Sequence, residues 1–336
     1  MIQRRTFLSG SACAAALTHA YLLPGQANAA GASTPTVNKT ARFVLGFPAG
    51  GSLDSIARLL AERVKGGYAP TVLVENRAGA GGRIAMDLVK ASEPDGATIV
   101  MAPASLMVIY PHVYKRLSYD PFKDFAPVST LCTFQFGLSV GPAVPAQVRT
   151  VQQFAQWCQA NPGQASFGSP GEGTMAHFAG VLIGRTLGLN LTHVPYKGGA
   201  PAIQDVVGGQ IAASINVLSE PLPFAKEGRI RVLATTGAAR SPFLPDAPTM
   251  REAGFRDFDI QEYFAAWVSP RTPPAIVNAL AEQIREAVAT KELQEAYAAR
   301  AFLPSAVGPR ELDAMVRADH DKWAPIVKST GFSIDS

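Results

Sequence analysis

The chain has 336 residues, 47% of them hydrophobic and 17% charged, with a formal net charge of +4. That balance is too weak for a nucleic-acid footprint, and after the first 29 residues no apolar run approaches the roughly 18 residues that a membrane span requires. Three cysteines and five histidines, without H-E-x-x-H or C-x-x-C spacing, leave no support for a metal site or a cofactor.

Residues 1–29 have the layout of an export signal: Arg4 and Arg5, an apolar and small-residue run over 7–23, and Ala27-Asn28-Ala29 as a cleavage site. Gln3-Arg4-Arg5-Thr6-Phe7-Leu8 also fits the twin-arginine pattern, which implies translocation of a folded protein into the periplasm. Cys13 is not expected to be lipidated, because Gly10-Ser11-Ala12 lacks the large aliphatic residue of such sites. Cleavage removes two of the 30 basic residues and none of the 26 acidic ones, so the mature balance falls to about +2. It leaves Cys132 and Cys158, which could pair in an oxidising compartment or stay buried and free. The remaining length of about 307 residues suits two lobes of about 100–200 each.

Apolar runs at 42–47, 71–75, 98–102, 136–140, 165–169, 191–195, 212–217, 231–235 and 265–269 read as strands, and most are separated by segments of helical period. This is an α/β chain with largely parallel sheet. Two proline-rich stretches, 140–145 and 269–274, each follow a strand and precede a helix, with Thr150 and Thr272 placed as N-caps and Pro273 as first helical residue. They suggest a chain that crosses to a second lobe and returns. The expected division is lobe 1 from 30–136 plus 259–336 and lobe 2 from 137–258, with helices over 276–327 completing lobe 1.

Three glycine loops carry the functional signal. In Phe47-Pro48-Ala49-Gly50-Gly51-Ser52-Leu53-Asp54 a strand runs into a turn that opens a helix, leaving N–H groups of the first turn pointing outward. Such a start attracts anions. A phosphate loop would need a lysine after Gly51, and Ser52 stands there; an ordinary turn remains the other reading. Phe167-Gly168-Ser169-Pro170-Gly171-Glu172-Gly173-Thr174 repeats the design before a helix over 175–187, with His177 one turn in, placed to touch a ligand or to pack and cap. Val194-Pro195-Tyr196-Lys197-Gly198-Gly199-Ala200-Pro201 is the third; Tyr196 suits a small organic acid, while Lys197 reads as a surface charge. Anion-friendly starts on two lobes imply a ligand held between them, each worth about 0.3–1 kcal/mol at an exposed site. A serine hydrolase built on Ser169 and His177 lacks G-x-S-x-G and a third partner.

At these loops the chain resembles the Bug family, the periplasmic solute receptors of tripartite tricarboxylate transporters. The first loop is similar to that family's first ligand loop. Val74-Glu75-Asn76-Arg77-Ala78-Gly79-Ala80-Gly81-Gly82 matches its V-E-N-R-x-G-A-G-G signature, and Pro94-Asp95-Gly96, Tyr119-Asp120-Pro121-Phe122-Lys123-Asp124-Phe125, Pro195-Tyr196-Lys197-Gly198 and Leu244-Pro245-Asp246-Ala247-Pro248-Thr249 follow in order. The resemblance covers nearly the whole mature chain. It implies a two-lobed periplasmic-binding fold of the second type, a Venus flytrap closing on one small carboxylate: a di- or tricarboxylate, an amino acid or an aromatic acid. It also implies no catalysis, membrane permease subunits as partners and a monomer; a receptor that docks to a signalling protein would use the same fold. By motif position it points to Phe47, Ala49, Gly50, Ser52, Asp54, Ser169, Gly173, Thr174, Tyr196 and Gly198 as ligand-binding residues. Ser105 and Asn216 are added from strand-end position. Departures from the family pattern are Glu172, Val181, Tyr110 and Ala212, and Glu172 is expected to face solvent.

Overall fold

The computed structural model describes residues 37–255 and 258–335, so the export signal expected at 1–29 lies outside the described residues. The chain begins with the expected alternation of β1 (Ala41–Leu45), α1 (Ser52–Val64), β2 (Val72–Asn76), α2 (Arg83–Lys90) and β3 (Thr98–Pro103), then short α3 (Ser105–Val108) and α4 (Tyr110–Val113). Leu53, Ile56, Ala57, Leu60, Ala61 and Val64 recur at helical spacing and form the buried face of α1. All six residues of β3 are buried, as befits a strand covered on both faces.

Next comes β4 (Ala126–Val140), followed by α5 (Val151–Ala160), β5 (Ser166–Ser169), α6 (Met175–Thr186), β6 (Thr192–Pro195), α7 (Gly199–Val207), β7 (Ala213–Val217), α8 (Leu222–Lys226) and β8 (Arg231–Thr235). The chain closes with β9 (Gln261–Val268), α9 (Pro274–Ala289), α10 (Lys291–Ala298), β10 (Leu303–Pro304) and α11 (Pro309–Thr330). Thr150 caps α5 in a complete capping box with Gln153. Thr272 does not cap α9: Pro273 occupies the cap and Pro274 the first helical position, one residue later than the spacing predicts.

The strands form one path, β2-β1-β3-β9-β4-β7-β5-β6, with β8 and β10 also paired to β4. The expectation of a largely parallel sheet holds only at the two ends, where β1 pairs with β2 and β3 and β5 pairs with β6 and β7. At the centre every pairing is antiparallel, because β4 and β9 run against their neighbours. The strand expected at 136–140 starts ten residues earlier, at Ala126. Its first part pairs with β9 and its last part, Phe136–Val140, with β7 and β8, so β4 itself carries the chain from one half of the sheet to the other. Cys132 and Cys158 are both free and buried. No helix among the described residues is long and apolar enough to cross a membrane.

Candidate ligand-binding cavity

The opening loop is fixed by Asp54. Its carboxylate accepts the Gly50 N–H at 3.0 Å, Arg58 Nε at 2.9 Å and Asn76 Nδ2 at 3.0 Å, and Asn76 also holds the Phe47 carbonyl at 3.1 Å. Burial pushes this carboxyl up, but the hydrogen bonds from Arg58, Gly50 and Asn76 outweigh it and hold Asp54 below the usual range. The V-E-N-R segment thus braces the loop through Asn76, and Gly46 lies so close to the Gly82 backbone that a Cβ there would collide with it. Gly51, not Ser52, occupies the cap position of α1, and Ser52 is its first helical residue.

Beside this loop is a cavity of about 120 Å³. Six residues expected at the site line it: Phe47, Ala49, Ser52, Ser105, Thr174 and Gly198. The other six do not. Gly50 and Asp54 are turned into the bracing network described above. Ser169 is wholly buried and bonds His193 Nε2 at 2.7 Å, whereas His177 Nδ1 accepts the Gly173 N–H at 3.2 Å. The two imidazoles stack with centroids 4.0 Å apart. Burial holds His177 down to about 3, with His193 adding to the effect, and holds His193 at about 4. The Ser169–His177 pairing needed for a hydrolase is therefore not made, and His177 packs and caps. Tyr196 turns its hydroxyl to Asp205 at 2.7 Å and faces a neighbouring recess, which Glu172 and Arg83 also line. Glu172 is exposed, as expected. Asn216 is buried with neither amide atom hydrogen-bonded, and a Cβ on Gly199 would lie 2.9 Å from its Oδ1.

Residues that the motifs do not mark complete the cavity. Phe134 and Phe136 of β4, Phe264 of β9, Leu53, Pro103 and Val217 make its walls apolar. Lys197 stands at the edge, and two acids, Glu220 and Glu262, enter from the sides. Glu220 Oε1 accepts the Ser52 N–H at 3.1 Å and its hydroxyl at 2.6 Å. The same carboxyl is close to the start of α7, where a Cβ on Gly199 would lie 3.1 Å from Oε1. Glu262 Oε1 accepts the Ser105 N–H at 2.7 Å and the Ser105 hydroxyl, while Ser105 Oγ accepts the first amide of α6, from Met175, at 3.1 Å. Burial pushes Glu262 up to about 7 and also raises Glu220, the serine hydrogen bonds opposing it in both. Two of the helix starts expected to hold an outside anion thus have their leading N–H satisfied from within. The amides of Gly199 and Ala200, at the start of α7, donate to no acceptor among the described residues. Such first-turn donors have no intrahelical partner and favour anions.

Comparison with known proteins places this geometry. Residues 56–332 match the family described as tripartite tricarboxylate transporter family receptor. The chain is 31% identical to protein BugT of Bordetella pertussis over 291 residues, covering 86% of this chain and 89% of that protein. It is 32% identical over 286 residues to a UPF0065 protein in the tcbD-tcbE intergenic region of Pseudomonas sp., covering 85% and 84%. Among solved structures, periplasmic binding protein BugD superposes with a TM-score of 0.82 at 29% identity, covering 88% of this chain and 98% of that one. R. palustris Rpa4515 with adipate gives 0.83 at 28% identity over 88% and 98%, and MatC from Rhodopseudomonas palustris with bound malate gives 0.80 at 26% over 86% and 99%.

Proposed function

Since this chain belongs to the tripartite tricarboxylate transporter receptor family and has the periplasmic-binding-protein fold, we propose that it captures one small carboxylate in the cavity beside α1 and α7 and presents it to membrane permease subunits. The family is one of solute-binding receptors, not enzymes. The observation that carries the reading is the start of α7, where the unpartnered N–H groups of Gly199 and Ala200 lie at an apolar cavity that Lys197 also lines. Relatives of the same fold hold adipate and malate. Of the described residues, those within 30–136 and 259–336 form one lobe and those within 137–258 the other, and β4, paired to both halves of the sheet, is the strand about which they close. The protein works as a monomer in the periplasm, reached through the 1–29 signal by the twin-arginine route.

Binding should show as thermal stabilisation. A carboxylate at a hundred times its Kd adds about 2.7 kcal/mol, or roughly 5 °C in Tm for a chain of this size. A fluorimetric screen of small carboxylic acids, sugars and simple amines should find stabilisers only among the acids. Stabilisation by sugars or by amines lacking a carboxylate, with none by any acid, would refute the assignment.

A further inference from the structure

We propose that Glu220 and Glu262 restrict this cavity to a monocarboxylate that also carries a hydrogen-bond donor, an ammonium group above all, and set it against di- and tricarboxylates. The inference rests on the carboxylate reading above and narrows it. The leading amide of α1 is already spent on Glu220, and Ser105 gives its amide and hydroxyl to Glu262. Of the three helix starts, the α7 start, with Gly199 and Ala200 beside Lys197, is therefore the one whose leading amides remain for a ligand carboxylate. Among the described residues Lys197 is the one basic residue lining the cavity, against two acidic ones.

The two acids use only Oε1 for these bonds; neither Oε2 accepts a hydrogen bond among the described residues, although both side chains line the cavity. Each can accept from a ligand donor. Asn216, behind the cavity wall beside Gly199, keeps its Oδ1 and Nδ2 both unpartnered next to the α7 start. Burial disfavours the ionised form of both glutamates. An ammonium would supply the missing counter-charge, whereas a second ligand carboxylate would face like charge with little water to screen it. Between these poles the walls are the rings of Phe47, Phe134, Phe136 and Phe264. The volume of about 120 Å³ is close to the ~150 Å³ of an apolar cavity that takes up benzene, so the ligand body is one ring or a short methylene chain.

Calorimetric titration with three acids that share one methylene chain tests this: adipate, hexanoate and δ-aminovalerate differ only in a terminal carboxylate, methyl or ammonium. A ring series of terephthalate, para-toluate and para-aminomethylbenzoate repeats the comparison for an aromatic body. In at least one series the amino acid should bind at least tenfold tighter than both its partners. Glu220→Gln and Glu262→Gln, checked for cooperative melting, should each reduce that preference at least fivefold. The absence of that tenfold preference from both series, or a preference unchanged in both variants, overturns the proposal and leaves the carboxylate reading standing. Failure of all six acids to bind overturns the proposal, and the carboxylate reading falls with it only when no acid in the thermal screen stabilises the protein either.

Discussion

Glu262→Gln should stabilise the protein by about 3 kcal/mol at pH 8 and by nothing measurable near pH 4. Burial moves this carboxyl from an ordinary 4.5 up to about 7, with Asp319 adding to the rise and the Ser105 hydrogen bonds opposing it. Between those values the folded state keeps a proton that the unfolded chain has released, so stability falls as pH rises. The full loss is reached above pH 7, and the interval corresponds to about 3 kcal/mol. Glutamine keeps the acceptor for Ser105 and removes the ionisation. Urea unfolding of both proteins from pH 4 to pH 8 should give curves that diverge steadily and then run parallel; curves that coincide throughout would show that Glu262 ionises freely.

In the same glutamine variant, lowering the pH from 7 to 4 should remove about 5 kcal/mol of stability, because His177 and His193 are neutral where an unfolded chain would be charged. The sign is opposite to that of Glu262. A histidine held below its ordinary 6.5 stabilises the fold above that value, and the contribution drains away as pH falls toward about 4 for His193 and about 3 for His177. Two imidazoles stacked at 4.0 Å cannot both gain a proton without facing each other, and part of the loss is shared between them. In the wild type the Glu262 contribution partly offsets this loss between pH 4.5 and 7, which is why the variant reports it more clearly. NMR titration should leave both rings neutral above pH 5; a ring titrating near 6.5 would contradict the burial argument.

How much of this the sequence reveals depends on whether the interaction is local. Thr150 with Gln153 and Thr174 with the His177 amide are contacts within one helical turn, and their residue types announce them. The glycine loops are legible because strand, turn and helix follow directly. What Ser52 does is not: its hydroxyl bonds a carboxyl 168 positions away, so an apparent open anion site is filled by Glu220. The early part of β4 is hidden for another reason. It lies between β9 and β10, buried for most of its length, and shows no alternation, and Pro127 and Ser129 sit at shifts in its register. Phe134 and Phe136 consequently escape a reading based on motifs. Glu262 did leave a trace, as a lone acid heading the apolar run Tyr263-Phe264-Ala265-Ala266-Trp267-Val268, and a charge at that place with no local partner points to a role across the fold.

The most direct test of the central claim is native mass spectrometry of the protein purified from its own periplasm, with the ejected small molecule identified by fragmentation. The account predicts a single small compound bearing a carboxylate, lost when the α7 start is blocked by Gly199→Val, whose side chain would drive into Asn216 and Glu220. A bound sugar, metal ion or uncharged compound, or a carboxylate retained unchanged by that variant, would contradict it.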